Sequence, residues 1–62
     1  MYTKFLKLLT ANKKSSYAIA KATGISQSTL RDWKIGRSTP KIDKIQKIAD
    51  YFGVPLDYFY KD

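Results

Sequence analysis

The segment from Ser16 to Trp33 constrains the fold more than any other part of the chain. It holds two short helical patterns, and Gly24 and Ile25 stand between them. Glycine permits the positive φ with which a chain leaves a helix, and so short a connection forces the two helices to cross closely. Ala20 in the first pattern is small enough to lie at that crossing. The segment therefore predicts a helix-turn-helix with helices over 16–23 and from 27 to about 34.

Apolar residues at helical spacing predict three further helices and no strand. The first is expected from about Tyr2 to Ala11, the fourth over about 41–52, and a short fifth after Val54 and Pro55. The fold class is therefore all-α, a compact five-helix bundle formed by one domain over residues 1–62. The residues expected to face its core are Phe5, Leu8, Leu9, Ile19, Ala20, Ala22, Ile25, Leu30, Trp33, Ile42, Ile45, Ile48, Ala49, Phe52, Leu56 and Phe59.

Polar and glycine residues mark the ends of these helices. Ser15 and Ser26 stand where an N-cap hydroxyl accepts a backbone N–H at the start of a helix. Asn12 is expected in the left-handed conformation that ends the first helix, and Gly36 and Gly53 are expected to end the third and fourth.

The charge of the chain favours a polyanionic partner. Twelve Lys or Arg stand against five acidic residues in 62, a formal net charge of +7. Nucleic acid or an anionic membrane surface would both suit such a charge, and solubility alone is the plainer explanation. No apolar run reaches the ~18 residues of a membrane span, and no signal peptide opens the chain. We therefore expect a cytoplasmic protein.

Several functional classes are disfavoured by the residues that are missing. The chain has no Cys and no His, which leaves no disulfide framework and no ordinary set of structural metal ligands. It has no Glu either, its five Asp are scattered, and no glycine-rich loop could cradle a phosphate. We expect no enzyme activity, no metal and no cofactor.

The second helix of the predicted helix-turn-helix begins with polar residues of the kind that read DNA. A Gln side chain can pair bidentately with adenine, Ser can address several bases, and Asp can accept from the amino group of cytosine. The solvent-facing residues in this helix are Gln27, Ser28, Thr29, Arg31 and Asp32.

From Ser15 to Tyr60 the sequence resembles the Cro/CI-type, lambda-repressor-like helix-turn-helix domain (XRE family) of phage repressors and their bacterial relatives. IAKATGISQSTLRDW is similar to the family's brace, turn and recognition helix, and GRSTP to the loop that follows. IDKIQKIADYFGVPLDYFY is similar to its fourth and fifth helices, and FLKLL to its first. The resemblance implies binding to an operator in double-stranded DNA, usually as a dimer on a palindromic site. By position it places Gln27, Ser28 and Asp32 at the bases, with Thr29 and Arg31 at bases or phosphates.

The sequence departs from the family pattern at two places. Ser16 stands where the family commonly has Gln, and with Tyr17 beside it we expect only a phosphate contact there. The family often pairs an Arg in the first helix with a Glu late in the third. Leu9 and Lys34 stand at those positions, so no charge is stranded and Lys34 adds positive charge near the DNA.

Candidate roles follow for four residues. Arg37 and Lys41 flank the connector after the third helix, where they can meet the sugar-phosphate backbone. Asp32 can read a base, orient Arg31, or reject wrong bases. Trp33 could stack on a base, but its spacing from Leu30 favours the core.

The aromatic C-terminal segment is richer than a core requires. Tyr58 is expected to be exposed, together with Tyr51 or Tyr60. These three tyrosines could form a homodimer contact, or they could simply be exposed aromatic edges. The chain could also be the N-terminal domain of a longer regulator. The main alternative function is a protein-interaction module, antitoxin-like or adaptor-like, that keeps the fold without specific DNA binding. A membrane-active cationic peptide is disfavoured by the helix caps and turns.

Overall fold

The computed structural model describes residues 1–61, and Asp62 lies outside the described residues. Five helices and no strand occupy this part of the chain: α1 (Tyr2–Asn12), α2 (Ser16–Thr23), α3 (Gln27–Lys34), α4 (Ile42–Phe52) and α5 (Asp57–Tyr60). The predicted all-α, five-helix fold is confirmed, and the ends of α2 and α3 fall at the predicted residues.

The core lies where the five helices meet, with α2 packed against α3 and α4 and α1 against α5. Its centre is aromatic. The rings of Phe5 and Trp33 stack at 5.2 Å between centroids, and Phe59 and Phe52 approach this pair at 6.4 and 6.5 Å. The buried apolar residues are Phe5, Leu9, Ile19, Ala20, Ile25, Leu30, Trp33, Ile45, Ile48, Ala49 and Phe59.

Local hydrogen bonds set the ends of α2 and the start of α3 as predicted. The Ser15 hydroxyl accepts the backbone N–H of Ala18 at 3.1 Å, and Ser26 begins α3 in the same way. Gly24 ends α2 with φ 78°, and its N–H donates to the Ala20 carbonyl at 2.9 Å. Only 24–26 separate the helices, and Ala20 of α2 is buried.

The predicted end of α1 is wrong by one residue. Asn12 is still helical, and Lys13 takes the left-handed conformation with φ 52°. The N–H groups of Lys13 and Lys14 donate to the carbonyls of Thr10 and Leu9, which closes the helix and offsets the cost of a side chain at positive φ. The Asn12 side chain instead donates back to the Leu8 carbonyl at 2.8 Å.

Three residues are buried differently from the prediction. Ala22 is exposed, because two residues after Ala20 lies on the opposite side of a helix. Ile42 is 61 % exposed, because it is the first residue of α4 and only the later residues of that stripe reach the core. Tyr58 is half-buried rather than exposed, since it packs edge-on against Phe59 beneath the Lys4 ammonium.

Candidate nucleic-acid interface

Helix α3 is held by two buried residues on one face. Leu30 and Trp33 are 2 % and 5 % exposed, and their spacing of three residues puts both side chains on the same side of the helix. The rest of the helix surface is turned to solvent. It carries Gln27, Ser28, Arg31 and Lys34, all of them exposed. Trp33 lies in the core, as its spacing predicted.

The first turn of α3 is ordered by a serine-threonine pair. The Ser26 hydroxyl accepts the Thr29 backbone N–H at 3.1 Å, and the two hydroxyls are 2.8 Å apart. Thr29 is half-buried, and its hydroxyl already has a partner in the protein. Gln27 and Ser28 make no side-chain hydrogen bond within residues 1–61, so their polar atoms are free to bind a partner.

An open cleft of about 280 Å³ lies between α3 and the N-terminal ends of α1 and α2. It contains two cationic side chains, Arg31 and Lys34, and no carboxylate, so it favours an anion. The lining residues are Tyr2, Ser16, Tyr17, Gln27, Ser28, Leu30, Arg31 and Lys34. Six of the ten residues predicted to contact DNA meet here: Ser16, Tyr17, Gln27, Ser28, Arg31 and Lys34.

The other four predicted residues, Thr29, Asp32, Arg37 and Lys41, do not line the cleft. Asp32 is half-buried, and its backbone carbonyl accepts the N–H groups of Arg37 at 2.8 Å and of Ser38 at 3.3 Å. These bonds fold the start of the connector back onto the end of α3. The single ion pair of the described residues joins Lys61 to Asp57, so no ion pair links Asp32 to Arg31.

The connector after α3 keeps its two basic residues at the surface. Gly36 turns the chain with φ 80°, and its N–H donates to the Trp33 carbonyl at 3.1 Å. Arg37 follows and is exposed, while the connector's Pro40 is buried. Lys41 is exposed and precedes the first turn of α4, where free backbone N–H groups favour anions but the acidic Asp43 opposes them.

Tyr2 is the cleft residue that the sequence did not predict. It comes from α1, and its ring packs edge-on against Trp33 at 5.4 Å. The sequence placed Tyr2 only at the start of the first helix. No sequence pattern showed that it would also border α3.

The family comparison gives a match over most of the chain. A family model described as a helix-turn-helix (HTH_3) matches residues 6–59, a range that contains the whole of α2, α3 and α4. Comparison with curated proteins and with solved structures gave no match. No helix within residues 1–61 is long and apolar enough to cross a membrane.

Proposed function

The chain belongs to the Cro/CI-type helix-turn-helix family of DNA-binding transcription regulators, and from this premise we propose that it represses or regulates transcription by reading a palindromic operator in the major groove. One observation carries the proposal. Six polar or basic residues from α2 and α3 line one open cleft that contains no carboxylate. A buried apolar pair holds α3 so that these residues face outward.

The proposed complex places the first turns of α3 at the bases. Gln27 and Ser28 lead into the major groove, and Asp32 reads or rejects a base deeper along the helix. Ser16, Tyr17 and Lys34 meet phosphates at the cleft. Phosphate contacts set the register of the helix, and base contacts set the sequence that is bound.

The remaining predicted residues extend this interface. Thr29 acts through Ser26 at the start of α3, and Arg31 meets a base or a phosphate from the exposed side of the helix. Arg37 and Lys41 meet the sugar-phosphate backbone beside the connector. The 62 residues act as one DNA-binding domain, alone or within a longer regulator, in the cytoplasm of a bacterial or phage-infected cell.

A palindromic operator requires two copies of the chain. Of the three tyrosines considered for a dimer contact, Tyr51 and Tyr60 are 41 % and 51 % exposed, whereas Tyr58 is half-buried. We place the contact at Tyr51 or Tyr60, since tyrosine is enriched in protein interfaces. Sedimentation at tens of micromolar, with and without operator DNA, tests this. A strict monomer in both conditions contradicts it.

Selection from a random duplex pool tests DNA binding directly. We expect an enriched sequence whose half-sites are one helical turn apart, and an affinity that falls steeply with salt as counterions are released. If no duplex is enriched or bound, the proposal is wrong, and the protein-interaction function is the next to be tested.

Two substitutions then separate base reading from phosphate binding. Gln27→Ala is expected to cost about 1–3 kcal/mol and to relax the preference at one base position. Arg37→Ala is expected to weaken all duplexes evenly and to lower the salt slope by about 1. Lys47→Ala is the matched control, because Lys47 is exposed on α4 and is not among the residues predicted to contact DNA. If neither Gln27→Ala nor Arg37→Ala alters binding, α3 is not the recognition helix.

A further inference from the structure

The ring of Tyr2 is held in place by the aromatic core. It meets Phe5 at 5.7 Å with an interplanar angle of 66°, and Trp33 at 5.4 Å with an angle of 84°. Both contacts are edge-to-face, an arrangement that aromatic pairs prefer. Tyr2 is half-buried, so the ring has little freedom to move and its hydroxyl has a defined position.

No interaction within residues 1–61 accounts for the Tyr2 hydroxyl. It makes no hydrogen bond within residues 1–61, although a phenol both donates and accepts. The same part of the chain has no buried side-chain oxygen or nitrogen without a partner, so this hydroxyl is reachable from solvent. Because the packing of the ring would be the same for phenylalanine, the core does not explain the hydroxyl.

The surroundings of Tyr2 suit a phosphate. Tyr2 lines the cleft together with Ser16 of α2 and with Lys34 and Arg31 of α3. Two cations and four hydroxyl groups, those of Tyr2, Ser16, Tyr17 and Ser28, therefore border the same space, with no carboxylate to repel an anion. A neutral O–H donor forms a strong hydrogen bond with a charged oxygen.

We infer that Tyr2 is a DNA-contacting residue whose hydroxyl donates to a backbone phosphate seated in the cleft beside Lys34. The inference rests on the proposed function, since it assumes that α3 enters the major groove. A phosphate is favoured over a base because Trp33, against which Tyr2 packs, lies in the last turn of α3. Recognition helices read bases mainly from their N-terminal residues.

Tyr2→Phe tests the inference, because it removes the hydroxyl and keeps the ring. We expect about a tenfold loss of affinity for both the selected operator and an unrelated duplex. The melting temperature should not change, since the hydroxyl has no partner in the protein. The salt slope should not change either, because the phenol is neutral, whereas Lys34→Gln should lower the slope by about 1.

Tyr58→Phe is the matched control. Tyr58 is also half-buried and packs edge-on against a neighbouring ring at 5.4 Å, but it does not line the cleft. It should bind both duplexes as the unsubstituted protein does.

The outcomes separate this inference from the proposed function. If the unsubstituted protein binds its operator and Tyr2→Phe binds equally well, the inference is wrong and the proposed function stands. A changed base preference with no loss on the unrelated duplex also overturns it, since the contact would then be to a base. If the unsubstituted protein binds no duplex, the proposed function fails and the inference fails with it.

Discussion

Substitution of Trp33 tests most directly whether a residue of α3 stabilises the core or contacts DNA. Its side chain is 5 % exposed and is surrounded by the rings of Phe5, Tyr2 and Phe59 at 5.2, 5.4 and 6.4 Å. Truncation of a buried tryptophan to alanine costs about 3–5 kcal/mol. A chain of this length has a total free energy of unfolding of about 3–9 kcal/mol. Trp33→Ala should therefore lose at least about a third of this stability and melt far below the unsubstituted protein.

Trp33→Phe provides the comparison, because it keeps a ring against Phe5. We expect it to lose about 1–2 kcal/mol of stability, to remain folded, and to bind its operator within a few-fold of the unsubstituted protein. Helicity is followed by circular dichroism during thermal and urea unfolding, and DNA affinity by titration at 10 °C. In the unsubstituted chain, which has one tryptophan, its fluorescence reports the same transition.

One result would show that Trp33 does not support the core. If Trp33→Ala keeps its helicity and melts within a few degrees of the unsubstituted protein, yet loses DNA binding, the side chain contacts DNA and does not support the core. In that case the aromatic contacts of Trp33 with α1 and α5 would contribute little to folding. Trp33→Phe would then also lose affinity without losing stability.

Two further predictions concern the cap of α3 and the start of α4. Ser26→Ala removes the acceptor for the Thr29 N–H and should cost about 1 kcal/mol of stability. This loss lowers the melting temperature by about 4–8 °C. Ser38→Ala removes no cap and should leave the melting temperature unchanged. Ile42→Ala should lower the free energy of unfolding in urea by less than about 0.5 kcal/mol, and Ile45→Ala by about 2–5 kcal/mol. The reason is that only Ile45 is buried. Equal losses in the two variants would contradict this.

The helices and the turns between them follow from local interactions, which is why the sequence predicts them well. A hydroxyl at Ser15 or Ser26 bonds an N–H three residues further along the chain, and Gly24 bonds a carbonyl four residues back. Such partners are fixed by sequence separation alone. Leu30 and Trp33 lie on one face of α3 for the same reason, because their spacing in the sequence alone puts them there. The family resemblance then adds the role of α3, which local interactions do not specify.

Burial at the margins of the core was predicted less well. The helical spacing of apolar residues predicts that Ile42 faces the core, yet Ile42 is exposed. Whether a residue at the end of a helix is buried depends on where the other helices lie. Tyr58, by contrast, was expected to be exposed and is half-buried. Its packing beneath Lys4 of α1 brings together residues more than fifty positions apart.

The helix-turn-helix between Ser16 and Trp33, with its exposed polar face on α3, can be read directly from the amino-acid sequence. The cleft cannot, because it exists only when α1, α2 and α3 are packed together. Tyr2 reaches the same space as Lys34 through an aromatic contact with Trp33. Long-range packing has no signature in spacing or composition. The tertiary structure alone therefore adds a tyrosine hydroxyl to the proposed DNA interface.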